Sequence, residues 1–125
     1  MSAPLGTFVW YELMTTDPAA ARDFYGPLVG WDAAVHEDGE IPYTMWMRGG
    51  VPAGGLMELP ADARAGNVPP HWMAYIATPD MEETTRKAED LGATLLHGPQ
   101  EIPGMGTLSV LQDPQGAVFA LHSKG

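Results

Sequence analysis

The strongest constraint on the fold of this chain is an internal duplication. Residues 7–30 contain an aromatic-rich extended run that ends at Asp17, followed by a helical pattern that ends near Gly30. Residues 70–92 repeat this order, with Asp80 and Gly92 at the matching places. The two Asp residues are 63 positions apart and the two Gly residues 62. Few residues are identical between the two copies. The prediction of one duplicated structural unit therefore depends on the matching order and spacing of the Asp and Gly residues.

Each copy predicts one helix. Asp17 and Asp80 suit the N-cap position, where a carboxylate accepts hydrogen bonds from backbone N–H groups of the first turn. Pro18 stands at the first helical position, where proline is favoured. Pro27 predicts that the first helix is distorted or ends early. The apolar stripe of that helix comprises Ala21, Phe24, Tyr25 and Leu28.

Short strand candidates come after each predicted helix. The first set covers residues 31–37, 42–48 and 53–59, and the second covers 93–97, 107–112 and 117–122. Each copy therefore reads strand–helix–strand–strand–strand. We predict an α+β protein of one domain, with two βαβββ half-domains at about 7–59 and 71–122 and a linker at about 60–70. The alternative, a ferredoxin-type sandwich, has fewer strands after its helix.

The charge balance limits the partners of the chain. Its 125 residues include 16 acidic and 6 basic side chains, for a net charge of −10. Such an acidic surface repels phosphate backbones and anionic lipids, so we expect no nucleic-acid and no membrane partner. There is no cysteine for a disulfide or a thiolate metal site. The start of the chain does not read as a signal peptide, and we expect a cytoplasmic protein.

Two motifs resemble the vicinal oxygen chelate superfamily. The first is Asp17-Pro with Phe24-Tyr25 and Leu28-x-Gly30-Trp31, and the second is Leu111-Gln-Asp-Pro-Gln-Gly-Ala-Val-Phe119. This superfamily includes glyoxalase I, extradiol dioxygenases, fosfomycin-inactivating enzymes and bleomycin-resistance proteins. The resemblance covers about residues 7–122. It implies curved mixed sheets around a cleft, helices on the outer face and a homodimer.

The resemblance also implies where metal ligands would stand. The first-strand ligand stands seven residues before each capping Asp, which places Trp10 and Met73 there. The last-strand ligand position falls on Ala120 in the second half, and on Gly55 or Met57 in the first. None of these side chains offers the oxygen or imidazole donors that a hard or borderline divalent ion requires. We therefore expect no metal and no other cofactor, as in a branch that lacks the usual ligands.

Candidate chemistry centres on Glu12. Period-two alternation places Trp10, Glu12 and Met14 on one strand face, which the resemblance turns toward the cleft. A carboxylate on an apolar face loses hydration, and such a group can act as an acid/base or bind a cation. The alternative is a Glu that is paired with a neighbouring donor or faces solvent. His122 is a candidate partner for Glu12, or else an exposed terminal histidine.

Methionine and aromatic side chains predict an adaptable apolar surface, although they also suit an ordinary core or a subunit interface. The candidate ligand-binding residues are Trp10, Glu12, Met14, Trp46, Met73, Tyr75, Ala120 and His122. No dinucleotide, Walker or nucleophile-elbow motif is present.

These observations favour a metal-independent protein that binds an apolar, aromatic or cationic small molecule. One alternative is an enzyme of isomerase, lyase or hydratase type that uses Glu12 as acid/base, with His122 as a possible second group. Another is a metal-dependent, glyoxalase- or dioxygenase-like enzyme with non-standard ligands such as Glu12 and His122. A third is a scaffold subunit whose cleft is filled by its own side chains.

Overall fold

The structure is a computed structural model that describes residues 3–36, 43–59, 61, 68–102 and 104–124. It divides into two compact units. The first unit is Trp10–Trp72, and the second combines Met1–Val9 with Met73–Gly125. Within the described residues, no helix has the length and apolar character needed to cross a membrane.

The first unit holds strand β1 (Phe8–Thr15, apart from its first two residues), helix α1 (Pro18–Val29) and strands β2 (Asp32–His36), β3 (Tyr43–Arg48) and β4 (Val51–Glu58). Its strands lie in the order β2-β3-β4-β1. Strand β1 runs parallel to β4, and the other neighbours are antiparallel. This is the βαβββ arrangement that the duplication predicts.

The second unit repeats the arrangement. It holds strand β5 (His71–Ala77, apart from its first two residues), helix α2 (Met81–Asp90) and strands β6 (Thr94–Ile102), β7 (Gly106–Gln112) and β8 (Val118–Ser123). The strand order is β5-β8-β7-β6, with β5 parallel to β8. The α+β class and the mixture of parallel and antiparallel strands are therefore confirmed.

Both helices begin where the caps predict. Asp17 Oδ1 accepts a hydrogen bond from the Ala20 N–H at 3.0 Å, and Asp80 Oδ1 accepts one from the Glu83 N–H at 3.1 Å. The expectation that Pro27 would end α1 early is wrong, because the helix continues to Val29. Gly30 adopts a left-handed conformation (φ 76°) and donates its N–H to the Gly26 carbonyl at 2.9 Å. This cap closes the helix two residues beyond the proline.

Each unit has its own core between helix and sheet. In the first unit the buried residues Leu13, Ala21, Trp46 and Leu56 pack together, with Tyr25, Trp31 and Ala53 against them. In the second unit Met81, Leu111 and Leu121 form the centre. A buried polar cluster ties α2 to β7: the Ser109 hydroxyl lies 3.0 Å from the Thr85 hydroxyl and donates to the Met81 sulfur at 3.2 Å.

Strand boundaries differ from the predictions mainly in the second unit. Strand β6 continues five residues past the predicted end at 97, to Ile102, through two irregularities in its pairing with β7. The turn at 113–116 forms as predicted, with the Gly116 N–H donating to the Asp113 carbonyl at 2.9 Å. The predicted turn at 37–40 and most of the predicted linker at 60–70 lie outside the described residues.

Candidate ligand-binding site

The duplicated registers identify equivalent positions in the two units. Glu12 stands five residues before the cap Asp17 and pairs with Gly55 on the parallel strand β4. Tyr75 stands five residues before the cap Asp80 and pairs with Ala120 on the parallel strand β8. Gly55 is thus the counterpart of Ala120, and this chooses between the two first-half alternatives, Gly55 and Met57.

The residues at the four positions where the resemblance implies metal ligands do not fit a metal ion. They offer an indole at Trp10, a hydrogen at Gly55, a thioether at Met73 and a methyl group at Ala120. Divalent zinc, iron, manganese or magnesium would need carboxylate oxygens or imidazole nitrogens there. In the part of the chain that the structure describes, no three His, Asp or Glu side chains cluster closely enough to hold an ion.

In the first unit, three hydrogen-bonded side chains occupy the space at Trp10 and over Gly55. The Trp10 indole N–H donates to the Tyr43 hydroxyl oxygen at 3.0 Å. Tyr43 in turn hydrogen-bonds the Glu12 side chain, which is only 3 % exposed. A phenol meeting a carboxylate is the donor, so the bonds run from Trp10 to Tyr43 to Glu12. We call these three residues the Trp10–Tyr43–Glu12 triad.

Gly55 makes room for the triad. A β-carbon at position 55 would lie 2.5 Å from Glu12 Oε2 and would overlap the Tyr43 hydroxyl oxygen. The place where the resemblance implies a ligand side chain is therefore filled by a phenol and a carboxylate from the two strands beside β4. Glycine inside a strand commonly marks such a close approach.

The electrostatics of the triad keep Tyr43 protonated. Burial raises the pKa of the Tyr43 phenol well above its usual range, and the negative charge of Glu12 raises that pKa further. The hydrogen bond that Tyr43 donates to Glu12 acts in the same direction, whereas the bond from Trp10 opposes it. At neutral pH Tyr43 is therefore a neutral phenol. Its proton is donated to Glu12, so toward any other group the oxygen can only accept a hydrogen bond.

The triad lies on the sheet face opposite helix α1. Glu12 pairs with Gly55 and Gly55 with Met45, so these three positions form one row across the sheet. Met14 and Met57 form the next row. The intervening residue Leu13 belongs to the helix-side core, which confirms the alternation of faces along β1. The face opposite the helix thus combines thioethers with one buried carboxylate.

The structure places Trp46, the remaining candidate of the first unit, on the other face of the sheet. Trp46 is 0 % exposed, and it packs in the helix-side core against Tyr25 and Trp31. Its neighbour Met45 takes the other face, because successive residues alternate. The Trp46 indole nitrogen has no hydrogen-bond partner among the described residues. Trp46 therefore belongs to the helix-side core and not to the face that carries Glu12.

Four of the candidates lie in the second unit. Met73, Tyr75 and Ala120 are buried. The His122 ring is half-buried, and its Nε2 lies 2.6 Å from the Met105 carbonyl oxygen. Because a carbonyl can only accept, Nε2 is the donor in this contact. His122 and Glu12 belong to separate units, so their suggested pairing stays a prediction.

Sequence reasoning missed Tyr43. It stands at the start of β3, 31 positions after Glu12, and no local pattern connects the two residues. One signal was present: two consecutive glycines, Gly54 and Gly55, stand within strand β4. Two glycines within a strand indicate that other groups approach its backbone closely.

Comparison with known proteins identifies the family. The glyoxalase-like domain family matches residues 10–122, so the chain belongs to that family and, with it, to the vicinal oxygen chelate superfamily. CFP32 of Mycobacterium tuberculosis, described as a proposed glyoxylase, is 38 % identical over an alignment of 120 positions that covers 93 % of this chain and 43 % of that protein. The anthracycline biosynthesis protein DnrV of Streptomyces peucetius is 33 % identical over an alignment of 131 positions that covers 96 % of this chain and 48 % of DnrV. The chain spans less than half the length of these relatives.

Solved structures share the fold at low sequence identity. The hypothetical protein BH1468 from Bacillus halodurans superposes with a TM-score of 0.69 at 13 % identity and covers 96 % of this chain and 95 % of its own. Methylmalonyl-CoA epimerase from Mycobacterium tuberculosis superposes with a TM-score of 0.61 at 14 % identity, covering 100 % of this chain and 93 % of its own. At these identities the similarity establishes the fold alone.

Proposed function

We propose that this chain is a metal-independent small-molecule-binding protein. The proposed surface is the face of the first unit opposite α1, with Glu12 at its centre. The proposal rests mainly on the Trp10–Tyr43–Glu12 triad. It fills the space over Gly55, where the resemblance implies a metal-ligand side chain. A buried carboxylate that is held by a phenol serves recognition of an organic compound better than capture of an ion.

The chemistry of this face supports an apolar or aromatic ligand, including cationic ones. Trp10 and Tyr43 are half-buried and present aromatic surface, and Met14 and Met57 add adaptable thioethers. The charge of Glu12 behind Tyr43 favours a ligand cation. One relative is named for anthracycline biosynthesis, and the anthracyclines are planar aromatic compounds of the class such a surface accommodates.

Met73, Tyr75, Ala120 and His122 remain proposed ligand contacts of the second unit. We also retain the homodimer as a proposal. The net charge of −10 continues to argue against nucleic-acid partners.

An enzyme that uses Glu12 as acid/base is the second candidate. Other members of the family and fold include a proposed glyoxylase and an epimerase. The observation in favour is the hydrogen bond from Tyr43 to Glu12, because a hydroxyl–carboxylate pair can pass a proton. Proton transfer in isomerase, lyase or hydratase chemistry would then proceed on Glu12.

The experiment that tests the proposal screens aromatic compounds, neutral and cationic, in excess EDTA. Native mass spectrometry and thermal unfolding report binding. We expect 1:1 complexes that survive chelation. We expect Glu12→Gln to weaken the binding of the cationic compounds about tenfold or more. Glu58→Gln is the matched control, because it removes an exposed carboxylate at the end of β4.

Absence of any complex in EDTA would overturn the proposal, as would equal effects of the two substitutions. A compound that the wild type converts, and that Glu12→Gln binds without converting, would instead establish the enzyme.

A further inference from the structure

The hydrogen-bonding capacity of the Tyr43 oxygen is only partly used. A phenol has one proton to donate and two lone pairs that can accept. The proton goes to Glu12, and one lone pair receives the Trp10 indole N–H at 3.0 Å. Among the described residues, Trp10 alone donates a hydrogen bond to this oxygen. One lone pair therefore remains for a further hydrogen bond.

The same oxygen is fixed in position. Trp10 holds it from one side and Glu12 from another, while the backbone of Gly55 lies directly beneath it. Because Tyr43 gives its proton to an anion, electron density on its oxygen rises, and it becomes a stronger acceptor. A fixed acceptor on an otherwise apolar face discriminates between ligands, since a partner without a donor leaves it desolvated and unpaired.

Building on the proposed binding function, we infer that Tyr43 determines ligand specificity: its hydroxyl oxygen accepts a hydrogen bond from an O–H or N–H group of the bound compound. Two sources can supply that donor, a neutral hydroxyl or an organic ammonium group. The carboxylate of Glu12 behind Tyr43 adds attraction for the ammonium only. In both cases the aromatic body of the ligand lies against Trp10.

The molecule contains an internal comparison for this site. On the helix side of the first unit, the Trp72 indole N–H donates to the Tyr25 hydroxyl at 3.2 Å. This is a second indole–phenol pair, set among the aromatic rings of the core and not on the Glu12 face. Tyr25→Phe therefore removes the same kind of hydroxyl without touching the proposed site.

Four naphthalene probes separate the possibilities. 2-Naphthol and 2-methoxynaphthalene differ by a neutral donor, whereas 2-naphthylmethylammonium and its trimethylated analogue differ by a donor at constant charge. Binding is followed on the indole N–H signals of the four tryptophans in 1H–15N spectra, with the Trp10 signal assigned from Trp10→Phe. Each probe is titrated into the wild type, Tyr43→Phe and Tyr25→Phe.

We expect the donor-bearing member of at least one pair to bind the wild type about five- to tenfold more tightly than its methylated partner and to shift the Trp10 signal. Tyr43→Phe should bring that ratio close to one, and Tyr25→Phe should leave it unchanged. A preference in the charged pair alone assigns the natural donor to an ammonium, and a preference in the neutral pair assigns it to a hydroxyl.

Equal affinities within both pairs in the wild type would overturn the inference while leaving the binding function standing. The same holds for a donor preference that Tyr43→Phe retains. If no probe shifts the Trp10 signal of the wild type, the proposed binding function fails as well. The three other indole signals report whether Tyr43→Phe is folded, and if it is not, Tyr43→Leu, which also lacks the hydroxyl, takes its place.

Discussion

The hydroxyl of Tyr43 and the carboxylate of Glu12 lie together above the α-carbon of Gly55, in space that any side chain at position 55 would need. In the second unit the equivalent position is Ala120, which carries a methyl group. The two halves of the duplication thus lack a ligand side chain for different reasons. In the first half, the space itself has been taken by a polar pair.

We predict that Gly55→Ala destabilises the protein by about 1–3 kcal/mol, the usual cost of overpacking. The new methyl group would meet both Tyr43 and Glu12, so at least one of them must move. Urea unfolding measures the loss. In a Tyr43→Leu background the same substitution should cost clearly less, because the phenol is gone. An equal cost in both backgrounds would contradict the packing described here.

Much of the fold is specified by local patterns in the sequence. The N-caps Asp17 and Asp80 and the turn at Asp113 each depend on a few neighbouring residues, and all three form as predicted. Pro27 does not end the helix early, because the effect of a proline near a helix end depends on the residues after it. The left-handed Gly30 completes the helix end, so the missing N–H of the proline is tolerated in the last turn.

The candidate site was predictable only in part. Alternation along β1 places Glu12 opposite the helix-side face, because the period of a strand is fixed. It cannot supply Tyr43, since that contact depends on the pairing of β3, β4 and β1 and on the length of a phenol side chain. Residue type alone predicts that Trp46 belongs to the site. Its strand face sends it into the core.

Stability at alkaline pH should depend on Tyr43. The folded protein raises the pKa of this phenol above the unfolded value of about 10, so the folded state keeps a proton that the unfolded chain loses. The contribution is complete below about pH 10. Above that pH it declines by at most about 1.4 kcal/mol per pH unit, until Tyr43 ionises in the folded state.

Urea unfolding between pH 9 and pH 12 tests this dependence, because this range includes the usual phenol pKa of about 10. The wild type should lose stability more steeply than Tyr43→Phe, because only the wild type carries the buried phenol at position 43. Identical slopes for the wild type and Tyr43→Phe would show that the phenol is not held in its protonated form by the fold.

The buried hydroxyl cluster of the second unit predicts a coupling between Ser109 and Thr85. Ser109→Ala removes a group that bonds both Thr85 and the Met81 sulfur, and we expect a loss of about 1–2 kcal/mol. Thr85→Val removes the facing hydroxyl at nearly constant volume. Chemical unfolding of both single variants and the double variant should show that the two losses are not additive. Strict additivity would mean that the hydroxyls do not interact.

The central claim is that this member of the glyoxalase-like family binds an organic compound without a metal ion. The most direct test is calorimetry with the tightest-binding compound of the aromatic screen, performed on protein before and after exhaustive chelation and again after addition of one equivalent of zinc, manganese or iron(II). We predict the same affinity in every sample, because the four positions where the resemblance implies metal ligands hold Trp10, Gly55, Met73 and Ala120. Binding that disappears with chelation and returns with one equivalent of ion would contradict the account.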